Sequence, residues 1–186
     1  TVSASATSGL AVSFNASGDC TVTGSTVHIT GAGSCTITAS QAGDSNYNAA
    51  SNVQQSFNIS KAETTTTVTV GNATYDGGPH GGTASVTGPG GLSQSLAVTD
   101  AGRNSTSYGP SATAPTNAGD YTASASYAGS SNYNASSDSE DYSIAKASQS
   151  ITFGALADKT YGDADFNVIA TASSGLAVSF NAAGAC

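Results

Sequence analysis

The chain has 186 residues, with 4 Lys and Arg against 12 Asp and Glu, for a formal net charge of −8. Ser and Thr together number 55 and Gly 22, with no Met and no Trp; Gly, Ser and Thr oppose helix and large aliphatics are scarce, so a helical bundle is excluded. Nucleic acid and anionic membrane need Lys and Arg clusters that this acidic chain lacks, and no apolar run approaches the ~20 residues of a membrane span.

From the N-terminus, Leu10, Val12 and Phe14 alternate with Ala11 and Ser13, the period-two pattern of a half-buried strand. Val27 and Ile29 flank His28, and Cys35, Ile37 and Ala39 alternate with Thr36 and Thr38. "SNYNAAS" (Ser45–Ser51) has room for a single helical turn. "ISKAETTTTVTV" then runs into the next strand without a flexible spacer, its threonines suited to an exposed strand face. Further on, Leu96 and Val98 alternate, as do Tyr121, Ala123, Ala125 and Tyr127. "ASGD", "YDGGPHGG", "GPGG", "AGRN" and "TNAGD" punctuate these runs as turns. Short antiparallel strands at this spacing predict an all-β chain of tandem immunoglobulin-like β-sandwich modules. A β-grasp module is the alternative, but it requires one real helix that the pattern does not contain.

Self-similarity divides the chain. "SGLAVSFNASGDC" (Ser8–Cys20) returns as "SGLAVSFNAAGAC" (Ser174–Cys186), 166 residues later. At an offset of 86, "AGSCTITASQAGDSNYNA" (Ala32–Ala49) returns as "AGDYTASASYAGSSNYNA" (Ala118–Ala135). "FNISKA" (Phe57–Ala62) answers to "YSIAKA" (Tyr142–Ala147). The expected organisation is residues 1–61 as the C-terminal part of an A-type module, 62–147 as a complete B-type module, and 148–186 as the N-terminal part of the next A-type module.

Three Cys are an odd number, which ordinarily points to a free thiol. The repeat accounts for it, since Cys186 is the copy of Cys20 and its partner would be a copy of Cys35 beyond residue 186. Cys20 shares strand parity with Val22, and Cys35 with Ile37, so both are expected inside. A Cys20–Cys35 bridge would close a loop of about 15 residues, worth roughly 3 kcal/mol in the loop-entropy account, and implies an oxidising, extracytoplasmic location. Zinc is the alternative, but two thiolates without a CxxC or a nearby His pair make a poor site. At the 86-residue offset Cys35 aligns with Tyr121, so one module is expected to fasten covalently where the other uses a ring. That requires both side chains to point into their cores. Tyr121, in "NAGDYTASASY", has the setting of a tyrosine corner or of an ordinary buried strand tyrosine. Tyr47 and Tyr133 recur in "SNYNA", which points to a packing role.

Candidates for chemistry are few. His28 and His80 fall in different modules, without a Ser–Asp arrangement beside either, so no enzyme is expected. Oxygen ligands of the kind calcium prefers occur at Asp44 in "GDSNYN" and at Asp163 and Asp165 in "GDADF"; alternate positions on a strand would place the last two on one face. Solvated turn residues are the plainer reading of all three. No other cofactor is indicated.

"ITFGALADKTYGDADF" (Ile151–Phe166) followed by "SGLAVSFNAAGAC" resembles the YGD repeats of large bacterial secreted and surface proteins. "TYDGGPHGGTASVTG" (Thr74–Gly88) and the residues after it resemble their companion YDG repeats, both grouped with MBG-type or bacterial immunoglobulin-like modules. The resemblance covers nearly the whole chain. It implies tandem arrays in adhesins or surface filaments, built as stalks, with no catalytic residues to carry over. The expected function is a structural repeat unit, extracellular, with neighbouring repeats of the same protein as partners and a homopolymer within reach. The alternative is an adhesive module for glycan or a cell surface, which would need exposed aromatics clustered on one face.

Overall fold

The computed structural model describes residues 1–184, and Cys186 therefore lies outside the described residues. The described chain is all-β, with several antiparallel sheets and no α-helix.

The first unit contains β1 (Ser13–Gly18), β2 (Cys20–Thr23), β3 (Thr26–Ile29), β4 (Gly33–Ser40) and β5 (Val53–Ile59). β1, β4 and β5 form one antiparallel sheet with β4 central, while β2 and β3 form a separate hairpin. Cys35 and Ile37 turn inward from β4 and meet Cys20 from β2; Val2, Phe14, Ala16, Val22, Val27 and Ile59 pack around them half-buried. Three buried residues make a small core. At roughly 1.5–3 kcal/mol per fully buried large apolar side chain, the bridge at its centre is comparable to any hydrophobic contribution there.

The second unit contains β6 (Thr65–Thr69), β7 (Ala73–Thr74), β8 (Thr83–Gly88), β9 (Leu92–Leu96), β10 (Thr99–Gly102), β11 (Gly119–Tyr127) and β12 (Ser136–Ala145), with one 3-10 turn at Pro89–Gly91. Its sheets have the orders β6-β8-β9 and β10-β11-β12-β7. Val68 and Ala84 from the first, and Tyr121, Ala123, Ala125, Tyr142 and Ile144 from the second, form one buried cluster, so the two sheets face each other as a sandwich. The long strand β12 closes the corner in two ways. Near its start, Ser136 Oγ bonds Thr66 Oγ1 at 2.7 Å and Asp138 Oδ2 accepts the Val68 N–H at 2.7 Å, so side chains satisfy the β6 edge. Near its end, Ile144 and Ala145 pair in parallel with Ala73 and Thr74 of β7, the same segment having crossed from one sheet to the other.

The third segment pairs β13 (Ile151–Phe153) with β14 (Ala170–Ala172), antiparallel, and among the described residues no second sheet covers it.

The 86-residue repeat is a repeat of strand register. Cys35 of β4 faces Gly18 on one side and Phe57 on the other; Tyr121 of β11 faces Gly102 and Tyr142. Ala39 faces Val53 as Ala125 faces Asp138, and Gly33 faces Ile59 as Gly119 faces Ile144. Three local expectations differ. Leu10 and Val12 precede β1, which begins at Ser13, and Val98 lies between β9 and β10. "SNYNAAS" forms bends and no helical turn, because Asp44 Oδ1 accepts the N–H groups of both Asn46 (2.8 Å) and Tyr47 (2.9 Å).

Candidate functional site: an open groove and a linker clasp

Both units are held by a central fastening. In the first, Cys20 and Cys35 form a disulfide with Cα atoms 5.5 Å apart, and both residues are buried. In the second, the Tyr121 hydroxyl donates to the Asn117 carbonyl at 2.7 Å, four residues upstream, the geometry of a tyrosine corner. Its ring meets Tyr108 edge-on at 5.7 Å and stacks on Tyr142 at 5.5 Å. The Tyr142 hydroxyl in turn reaches the carboxylate of Asp100 at 2.9 Å, a residue only 2% exposed. Burial pushes the Asp100 carboxyl above the usual carboxylate range, the Tyr142 bond opposing it. Burial likewise raises both tyrosine hydroxyls. Tyr121, Tyr142 and Asp100 are buried, and the bond between the last two braces β10 against β12.

The junction between the units is a clasp. Ala62, in the linker between β5 and β6, donates its N–H to the Asn132 carbonyl (2.8 Å) and accepts from the Asn134 N–H (2.9 Å), so the linker pairs with the "SNYN" loop of the second unit. Asn132 Oδ1 also accepts the Ala32 N–H at 2.9 Å, reaching back into the first unit. Lys61 Nζ donates to the Ser130 carbonyl at 2.7 Å, and the Tyr133 hydroxyl donates to the Pro89 carbonyl at 2.6 Å. The loop depends on Gly129, whose φ is +82° and whose missing Cβ would stand 2.7 Å from the Tyr133 carbonyl oxygen. Gly43 holds the same place in the first unit, with φ +78° and the Tyr47 carbonyl oxygen at 2.3 Å. Tyr47 is 52% exposed, against the expectation of a packing role, whereas Tyr133 is held by Pro89 and the linker.

The same unit carries an open, mostly apolar groove of about 500 Å³, lined by Val2, Ala4 and Ala6 together with Phe14, Ile37 and Phe57. Val53 and Gln55, which hold the positions in their sheet that Asp138 and Glu140 hold in the second unit, also line it. The groove therefore lies over the strand face that β6 covers in the second unit.

The remaining candidates stay apart. His28 is exposed on β3 opposite Thr21. His80 Nε2 lies 2.9 Å from Asp76 Oδ1. The Gly78 backbone N–H, followed by His80, holds the Asp76 carboxyl below its usual range. Asp44 serves its own turn, and Asp163 Oδ2 accepts the Thr160 N–H at 2.9 Å in another. Asp163 and Asp165 belong to no strand, so the same-face premise for joint chelation does not hold. Among the described residues no group of three or more His, Cys, Asp or Glu side chains gathers, and no helix is long and apolar enough to cross a membrane. Comparison with protein-family models, with curated proteins and with solved structures finds no match to this chain.

The roles of Asp100, Asn132 and Asn134 were not legible in the sequence. Asp100 is one acid among 12, with no motif to mark it as buried. The clasp asparagines did carry a signal, the recurrence of "SNYN", whose meaning depends on a linker 70 residues away in the chain.

Proposed function

We propose that the chain is a structural repeat unit of an extracellular bacterial surface protein or filament, acting as a semi-rigid stalk. The observation that carries this reading is the clasped linker. Ala62 is held on both backbone groups by Asn132 and Asn134, and Asn132 also bonds Ala32, so successive units are joined by strand-like pairing instead of a loose tether. Repetition of the β4–β5 register in β11–β12 supports a modular array in which each unit contacts its neighbours. The disulfide favours an oxidising compartment, and the resemblance to YGD and YDG repeats points the same way.

We read the second unit as immunoglobulin-like on its two facing sheets and its tyrosine corner. Its strand order departs from the constant-type arrangement, since β9 returns beside β8 instead of crossing to the other sheet and β7 pairs in parallel with β12. The test is small-angle scattering and electron microscopy of a chain carrying several periods. Rods whose length grows linearly with the number of periods support the stalk; compact particles refute it.

A further inference from the structure

We infer that the open groove of the first unit is a strand-acceptor site for a second copy of this chain, filled by the segment Ala147–Phe153. The inference rests on the stalk reading and names the partner of its joints. Four observations identify the occupant.

The first is the rim of the groove. Ala4–Ala6 and Ala170–Ala172 are copies at the 166-residue offset, and they run into the same turn: the Gly9 N–H donates to Ala6 O at 3.0 Å, and the Gly175 N–H to Ala172 O at 3.0 Å. The two glycines have φ of +74° and +75°. Yet Ala170–Ala172 pairs with Ile151–Phe153, whereas no strand among the described residues pairs with Ala4–Ala6.

The second is an aromatic contact. Phe153 packs on Phe180 with ring centroids 5.8 Å apart, and Phe180 is the copy of Phe14, which lines the groove. The third is the second unit, where β6 lies over the face equivalent to the groove and bonds Asp138, the register counterpart of Val53. The fourth is the recurrence of the clasp loop in the first unit. Lys61–Ala62 leads into β6 as Lys146–Ala147 leads into β13, so the Asn46–Asn48 loop is placed to hold Ala147 as Asn132–Asn134 holds Ala62.

In the joint, Ile151, Thr152 and Phe153 of one copy pair with Ala6, Ser5 and Ala4 of the next, the register they keep with Ala172, Thr171 and Ala170 in their own chain. Backbone pairing is exchanged between near-identical strands and conserved in number. The gain is burial of Ile151 and Phe153, 62% and 49% exposed, against Phe14, Ile37 and Phe57. Donor and acceptor surfaces differ, so the contact is head-to-tail and does not close, the geometry of a growing fibre.

The test is a fluorescently labelled synthetic peptide of residues 145–156 titrated into the full 186-residue chain with its disulfide intact. Saturable binding is expected, weakened at least tenfold by F153D in the peptide and by A6D in the chain, with a scrambled peptide inert. In the chain alone, F153D is expected to abolish concentration-dependent association in sedimentation without changing the melting temperature, since Phe153 belongs to neither core. Absence of saturable binding at about 1 mM peptide, or binding indifferent to F153D, overturns the inference. That result leaves the stalk reading standing, because rod shape in a multi-period chain is measured separately.

Discussion

Cys35 of β4 and Tyr121 of β11 occupy the same register position in two sheets, each fully buried, each opposite a glycine on one side and an aromatic ring on the other. A covalent bond fastens one core and a hydrogen-bonded ring the other. The reason is visible in the cores themselves. Tyr121 has Tyr108 and Tyr142 to pack on and a facing sheet above it, whereas Cys35 has only Cys20 and Ile37 as buried neighbours.

Reduction of the Cys20–Cys35 bridge should therefore act on one unit only. With a sequence separation of 15, C20A/C35A is expected to destabilise the first unit by about 3 kcal/mol and leave the second unchanged. Hydrogen exchange resolved by residue checks this: protection should fall in β4 and persist in β11.

Tyr121→Phe keeps the ring stack and removes the bond to the Asn117 carbonyl. A loss of about 1 kcal/mol in the second unit is expected in denaturant melts. A larger loss would mean that the hydroxyl organises the turn before β11 as well as capping it.

Asp100 gives the second unit a distinctive pH dependence. Its carboxyl is raised by burial in the folded state, so the folded form holds a proton that the unfolded form releases first. This contribution favours the fold at low pH and is lost as pH rises from the ordinary carboxylate value through the raised folded one. Asp100→Asn preserves an acceptor for Tyr142 and removes the ionisation. Subtracting its stability-against-pH curve from that of the parent should leave a difference that falls as pH rises across this window and then flattens.

Gly129→Ala places a Cβ against the Tyr133 carbonyl at a φ of +82°. The strain is expected to cost at least about 1 kcal/mol and to open the clasp on Ala62. Faster exchange of the Ala62 and Asn134 amides, with β11 and β12 still protected, is the expected signature.

Much of this was legible in the chain. The inward set on β4 and β11 followed from alternation, because a strand's two faces are assigned by parity alone. The Cys20–Cys35 partnership followed from the repeat. Tyr47 shows the limit: its sequence matches that of Tyr133, yet a packing role needs neighbours, and those are supplied from outside the loop.

Period-two alternation, turn chemistry and internal repetition thus determined an all-β chain with two related units, since these are properties of adjacent residues. The tertiary structure alone decided that β7 crosses to pair with β12, that Asp100 is enclosed, that Asn132 and Asn134 grip Ala62, and that Phe14 and Ile37 line one groove. Each depends on which distant strands face each other, and in a chain this rich in Ser, Thr and Ala many strands have nearly the same local preference.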